Sequence, residues 1–341
     1  MRVALIADTH FGVRNDGKRF LDHQVEFLRR VFFPALEARR VDKVVHLGDL
    51  VDRRKYIAYN TAKVMREEYL DRVAPYGHEL LVGNHDSTYR DTLAVNALDE
   101  LLGEGHAVYT EPCVSYSTGF CMLPWICAAN AEASMRVIGE TRAEVCIGHL
   151  ELAGFEAYRG KVMEHGMNSR LLSKFDQVYS GHYHTQSSKG NVRYLGAPYE
   201  MNWMDHDDPR GFHVYDTETR ELEFVRNPLT LHAKVRYDDD AAEPDWAALA
   251  GKVVRVVVGR RENGLRFDQW MRELDQAGAD VTVVEDRLSV TSLDEGAQVK
   301  AGDTLQTIES YVREVVELDE DRSALVSLLG DVYREAVERQ Q

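Results

Sequence analysis

The chain has 341 residues, of which 44% are apolar and 29% charged, and its formal net charge is −16. Such a composition builds a sizeable globular core, and the length suits one large domain with a smaller appendage. The acidic balance excludes a protein that holds nucleic acid by bulk electrostatics, and no apolar run approaches the ~20 residues of a bilayer span, so no membrane role is expected.

The apolar run Val3 to Ala7 predicts a strand that ends at Asp8-Thr9-His10. The start reaches Asp8 too early for a signal peptide, so a cytoplasmic protein is expected. Residues 20 to 39 carry Phe20, Val25, Phe27, Leu28, Val31 and Phe32 at helical spacing, and a strand at 43 to 49 follows, ending at Gly48-Asp49. A second helix at 59 to 74 leads to Leu80-Leu81-Val82, which stops at Gly83-Asn84-His85-Asp86. This alternation of strands and helices favours parallel strands with helices on their faces.

A helix near 92 to 102 precedes short strands at 106 to 112, 113 to 117 and 120 to 125, with Thr118-Gly119 marking a hairpin. A helix near 130 to 139 leads into Val145-Cys146-Ile147, which ends at Gly148-His149. Gln177 to Ser180 runs into Gly181-His182-Tyr183-His184, and strands at 191 to 195, 211 to 215 and 221 to 226 come next. The layout predicts two sheets packed face to face with helices outside. Cys113, Cys121, Cys127 and Cys146 form no CxxC pair and sit in or beside apolar segments, which suits free thiols better than zinc or disulfides.

Pro228 marks a domain edge. Residues 229 to 290 read as a small α/β module, with strands at 231 to 237, 252 to 258 and 281 to 285 and a helix near 266 to 277. Residues 291 to 302 read as a linker. The tail, 303 to 341, opens with the capping box Asp303-Thr304-Leu305-Gln306. Two amphipathic helices follow, one with Leu305, Ile308 and Val312 on its apolar face and one with Leu325, Leu328, Leu329, Val332 and Tyr333. Those stripes either pack on their own domain or dock to another chain. Docking is favoured because residues 291 to 341 hold twelve acids against five bases and the tail is tethered.

Five strand ends thus present metal-ligand residue types. Oxygen and imidazole donors together suit Mn²⁺, Fe²⁺ or Zn²⁺ better than Mg²⁺. Two ions about 3.5 to 4 Å apart need a bridging carboxylate, and Asp49 stands in the middle of the ligand order. Asp8, His10, Asp49 and His184 are expected at one ion and Asp49, Asn84, His149 and His182 at the other, a pair suited to hydrolysing phosphoesters. Basic clusters at Arg14, Lys18 and Arg19 and at Arg53, Arg54 and Lys55 are solvated surface or phosphate contacts. Trp125 and Trp203 read as packing residues, with base stacking as the alternative.

The ordered set Asp8-x-His10, Gly48-Asp49-x-x-Asp52, Gly83-Asn84-His85-Asp86, Gly148-His149 and Gly181-His182-x-His184 resembles the five motifs of the calcineurin-like metallophosphoesterases. The resemblance covers residues 1 to 228 and implies a four-layer αββα sandwich. Within that superfamily the chain is most similar to SbcD-type nucleases, particularly the small subunit of the recombination endonuclease of tailed phages. That likeness implies two Mn²⁺, 3′-to-5′ exonuclease activity on duplex DNA and endonuclease activity on single strands. It also implies that the small module caps a DNA cleft and that the tail grips the coiled coil of an SbcC-type ABC ATPase. A homodimer through the helices near 59 to 74 and 92 to 102 is implied as well, as is the host cytoplasm if the chain is phage-encoded.

By the same likeness His85 contacts phosphate and protonates the leaving oxygen. Some relatives carry a second catalytic histidine where this chain has Asp52. Asp49-Leu50-Val51-Asp52-Arg53 instead echoes the protein phosphatase branch, in which the second Asp orients the catalytic His and the Arg holds phosphate. Asp52 as orienter of His85 and Arg53 as a phosphate contact follow from that echo, Arg14 is a candidate phosphate contact from its basic cluster alone, and a phosphomonoesterase or protein phosphatase stays open as the alternative.

Overall fold

The computed structural model describes residues 1–285. The linker and the tail positions Leu305, Ile308, Val312, Leu325, Leu328, Leu329, Val332 and Tyr333 lie outside the described residues.

Two six-stranded sheets form the body of the protein. In the first, Arg2–Ile6, Lys43–His46, His78–Leu81 and His106–Tyr109 are parallel neighbours in that order. Gly211–Asp216 and then Leu222–Arg226 extend it antiparallel on the Arg2–Ile6 side. In the second, Val192–Tyr194, Gln177–Gly181, Val145–His149 and Cys121–Leu123 run parallel, and Ser187–Lys189 and Cys113–Val114 close its two edges antiparallel.

Strand alternation sorts the core into layers. Ala4 and Ile6 face outward against Phe27, Leu28, Phe32 and Tyr69 of the helices. Val3, Leu5 and Leu47 face inward, against Met122, Ile147 and Tyr179 of the second sheet. The far side of that sheet, with Cys146 and Val178, packs on Ile138 of the helix Ala131–Glu140. The result is a four-layer αββα sandwich. All four cysteines are free thiols, and among the described residues no helix is long and apolar enough to cross a membrane.

Local departures from the sequence reading have physical causes. Helix 20 to 39 holds a π turn at Leu28–Phe32, directly before Pro34, whose missing N–H forces the bonding register to shift. The helix expected from residue 92 begins only at Ala97, because the Asn96 side chain accepts the Asp99 N–H at its start. The stretch before it is tied up by Ser87, whose hydroxyl donates to the carbonyls of Tyr89 and Thr92. His106–Tyr109 joins the first sheet in parallel, whereas the hairpin marked by Thr118-Gly119 forms between Cys113–Val114 and Cys121–Leu123 in the second. A short hairpin, Glu156–Tyr158 with Lys161–Val162, was not anticipated.

Residues 232–285 form a separate three-stranded parallel sheet, in the order His232–Tyr237, Val253–Val258, Asp280–Glu285. The helix Gly264–Gln276 covers one face of it through Phe267, Trp270 and Leu274. Two polar contacts fix this module to the sandwich. The Arg19 guanidinium donates to the carbonyls of Gly251, Lys252 and Gly278. Buried Glu200 accepts the N–H groups of Leu231 and His232, both at 2.7 Å.

Candidate metal centre

The site lies where strands of both sheets end. The loops after Ile6 and His46 are zipped together by Asp8 N–H to Gly48 O and His10 N–H to Asp49 O, each 3.1 Å. Trp125 N–H donates to Val82 O at 2.9 Å and joins the second sheet to the first at the same end.

The backbone bends sharply to aim these side chains. Asp8, His10, Asp49 and His182 all adopt left-handed φ, at 55°, 44°, 57° and 88°. For residues with a Cβ this is strained, by about 1–3 kcal/mol each, and such strain clusters at functional sites. Gly48 and Gly83 make the close approach feasible. A Cβ on Gly48 would strike the His149 ring, and one on Gly83 would fall on the Asp49 nitrogen and carboxylate.

All seven expected ligands converge. Asp8, His10 and His184 form one group and Asp49, His149 and His182 another, with donor atoms inside each group within 4.8 Å of one another. Asp49 Oδ2 reaches both, lying 3.7 Å from His10 Nε2 and 3.3 Å from His149 Nε2. Asn84 Oδ1 completes the second group, 3.0 Å from His149 Nε2 and 2.9 Å from His182 Nδ1.

The donor set is short of protons, which is what a cation site requires. His149 Nδ1 donates to Leu47 O at 2.8 Å, so Nε2 can also donate to Asn84 and Asp49 only if the ring is charged. Burial pulls this imidazole down, but the Asp49 and Asp8 carboxylates and the Leu47 carbonyl together outweigh burial and raise it to about 9. His10 Nε2 and His184 Nε2 face each other at 3.2 Å, and the buried Nδ1 of His184 has no partner. Burial keeps His182 and His184 below the usual imidazole range, hence neutral and able to ligate. Burial also pushes the Asp8 carboxyl up to about 7. A cation would take up the lone pairs of the neutral imidazoles and offset the repulsion between the Asp8 and Asp49 carboxylates, so the residues fit a pair of divalent cations.

His85 and Asp52 stand beside the first group. The His85 ring meets His10 edge-on at 4.8 Å, and its Nδ1 lies 2.5 Å from the main-chain carbonyl of Asp52. The Asp52 carboxylate points elsewhere, 3.4 Å from His10 Nδ1. Asp52 therefore reaches His85 through its backbone. Arg14 is exposed at the mouth of a cavity of about 580 Å³ that also exposes His10, Asp49, His85, His182 and His184. Arg53 is not part of that lining: it pairs with Asp16 and lies 4.5 Å over the Tyr56 ring.

Several contributors carried no role at the metal centre in the sequence reading. Asp86 accepts three backbone N–H bonds that bind the 48–51 and 83–86 loops together. Gln24 donates to the carbonyls of Thr9 and His10, and the Tyr199 hydroxyl donates to Thr9 O. Trp125 lies 5.0 Å from the His182 ring. Tyr158 and Lys161 of the unanticipated hairpin overhang the cavity. Of these, Asp86 left a sequence signal as the fourth residue of the Gly83-Asn84-His85-Asp86 turn, and Trp125 was read as a packing residue with base stacking as the alternative.

Residues 1–186 match the model of the calcineurin-like phosphoesterase family. The chain is 30% identical over 349 residues to exonuclease subunit 1 of Enterobacteria phage T4, an alignment spanning 99% of this chain and 100% of that one. A solved structure titled as a novel archaeal phosphodiesterase is 13% identical, with a TM-score of 0.33, covering 67% of this chain and 100% of its own. The family model spans more than half of the sequence, and the matched residues include every strand end that meets at Asp49, so this chain belongs to the calcineurin-like phosphoesterase family.

Proposed function

We propose that the protein is the nuclease subunit of a DNA repair or recombination complex, a Mn²⁺-dependent phosphodiesterase that degrades duplex DNA 3′ to 5′ and cuts single strands internally. The observation that carries this proposal is Asp49, seated between two carboxylate and imidazole groups so that one side chain serves both. The near full-length likeness to a protein named exonuclease subunit 1 supports the choice of DNA and of a partner.

Asp8, His10, Asp49 and His184 would hold one ion and Asp49, Asn84, His149 and His182 the other. Mn²⁺ suits the mixed donor set, with Fe²⁺, Zn²⁺ and Mg²⁺ as alternatives. When bound, such a pair neutralises a phosphodiester and acidifies water. Leu47 O fixes the His149 tautomer so that Nε2 faces the centre. Asp52 O takes the Nδ1 proton of His85, which lines the cavity and would pass a proton to the leaving oxygen. Burial lowers the His85 pKa, and a phosphate arriving beside the ring would raise it again. Arg14 at the mouth is placed to meet a phosphate, whereas Arg53 would have to leave Asp16 to do so.

In this proposal residues 1–228 are the nuclease domain, 229–290 cap the DNA cleft, and 303–341 bind the coiled coil of an SbcC-type ATPase beyond the 291–302 linker. The homodimer and a cytoplasmic setting complete it. With Mn²⁺, linear duplex DNA should be cleaved, and Asp49→Ala and His85→Ala should each lose activity at least about a hundredfold while keeping the wild-type circular dichroism. Undiminished cleavage by both variants, or rapid phosphopeptide turnover with no action on DNA, would overturn the proposal. Deleting 303–341 should abolish co-purification with the ATPase and spare metal binding.

A further inference from the structure

A second cavity, of about 420 Å³, opens where the two sheets share a lateral edge. The strand Ser187–Lys189 and its neighbour Val192–Tyr194 wall it on one side, Gly211–Asp216 and Leu222–Arg226 on the other. Inner-face positions of a sandwich are normally apolar. Along Gly211–Asp216, Phe212 and Val214 face the outer core and Tyr215 the inner one, so His213 faces inward with Tyr215. Val192 and Tyr194 likewise face outward, which turns Arg193 inward. A histidine and an arginine thus occupy positions where aliphatic residues would close the edge.

None of these polar groups is satisfied internally. His213 is only 6% exposed, and its imidazole has no hydrogen-bond partner among the described residues. Arg193 has neither an ion pair nor a hydrogen bond among the described residues, and no carboxylate lines the cavity. In a chain of net charge −16, an acid-free cavity around an unpaired guanidinium is selective for anions. The guanidinium matches a phosphate group, which Arg can grip with two parallel bonds. Phe224, 5.0 Å from the His213 ring, and Leu222 add an apolar wall. The space exceeds what a bare phosphate fills and lies in the range of about 300–1,000 Å³ typical of small-molecule sites.

We propose that this edge cavity binds a small organic phosphate of nucleotide size, with Arg193 on the phosphate and His213 and Phe224 against the organic part. The site stands apart from the metal centre, and only the choice of a deoxynucleotide as probe rests on the proposed nuclease activity. Inward charges can also protect an open sheet edge from pairing with other chains. That alternative predicts no ligand.

The test uses the full-length protein in EDTA, so that phosphate cannot bind through cations at the metal centre. Deoxyadenosine monophosphate, deoxyadenosine and inorganic phosphate are titrated separately. Calorimetry measures affinity, and the His213 ring proton resonances, assigned by their loss in His213→Gln, report location. The monophosphate should bind and shift the His213 resonances, with deoxyadenosine and inorganic phosphate each at least about tenfold weaker. Arg193→Gln should weaken the monophosphate at least about tenfold. No binding, binding that leaves His213 unmoved, equal affinity for inorganic phosphate, or an Arg193→Gln variant that aggregates yet binds normally would each overturn the proposal. Since neither cleavage nor metal enters the readout, an inactive nuclease would leave it standing.

Discussion

Replacing Asp86 should damage the protein in a way that replacing a ligand does not. Its Oδ2 accepts the N–H groups of Asp49 at 2.8 Å and Gly83 at 2.9 Å, and its Oδ1 accepts that of Val51 at 3.1 Å. The side chain is fully buried, so water has no access to replace it. Alanine would leave three amides without partners at about 1–3 kcal/mol each, and with partial relaxation the loss should be about 3–6 kcal/mol. That is a large share of a typical stability of about 5–15 kcal/mol. Asparagine keeps one acceptor oxygen but turns its NH₂ toward an N–H, so a loss of about 1–3 kcal/mol is expected. Urea denaturation of the metal-free protein measures both, with Asn84→Ala as a comparison that should weaken metal binding and, by removing one buried acceptor, cost about 1–2 kcal/mol, well below Asp86→Ala. An Asp86→Ala variant within about 1 kcal/mol of wild type would refute the reasoning.

Metal affinity should rise with pH, because His149, held at about 9, and Asp8, at about 7, must shed protons to ligate. The gain should reach up to about tenfold per pH unit between pH 7 and 9 and up to about a hundredfold below pH 7, where both groups hold protons, and calorimetry in buffers of different ionisation heat would refute this by finding no proton release. Burial holds His23 at about 4 in the folded state against an ordinary 6.5. The unfolded chain therefore binds more protons between those values, and stability that is complete above pH 6.5 falls by about 3 kcal/mol as the pH approaches 4. His23→Gln should flatten that slope in thermal melts, and an unchanged slope would count against it. Arg19→Ala removes the guanidinium from the carbonyls of Gly251, Lys252 and Gly278. With its partial exposure discounted, it should cost about 1–2 kcal/mol and speed amide exchange in Val253–Val258, and wild-type exchange there would show that the module stands without the strap.

The sandwich was legible because its strands announce themselves twice, first as apolar runs and then as the glycines and ligand residues that end them. Leu80-Leu81-Val82 before Gly83 shows both signals, and so do Val145 to Ile147 before Gly148. The hairpin Glu156–Tyr158 with Lys161–Val162 shows neither, with strands too short for alternation to register, and so the wall it gives the cavity went unseen. Ligand identity was legible for a related reason: seven side chains of donor type stood at strand ends, and strand ends of parallel sheets gather on one side. Which atom of a residue acts was not legible. Asp52 holds His85 with its carbonyl because the chain turns there, a fact of the backbone that no residue name records. Arg53 finds Asp16 only because residues 14 to 16 take left-handed φ near 55°, a strained turn without glycine that propensity argues against.

The same strain explains why the supports of the centre are so numerous. Four of the seven proposed ligands sit in left-handed backbone, and two of the seven are buried carboxylates, so the centre alone opposes folding. The loops are nevertheless held by bonds that need no cation: Gln24 and Tyr199 on the 8–10 carbonyls, Asp86 under the 49–51 amides, and the His182 N–H on Asp8 at 3.0 Å. Each of these bonds joins two different segments, and apart from the Asp8 carboxylate none of the groups involved is a proposed donor. The scaffold therefore sets the ligand geometry before any ion arrives. An ion entering it relieves the charge imbalance without also having to order the chain, so its binding energy should appear as affinity and added stability rather than be consumed in folding the site.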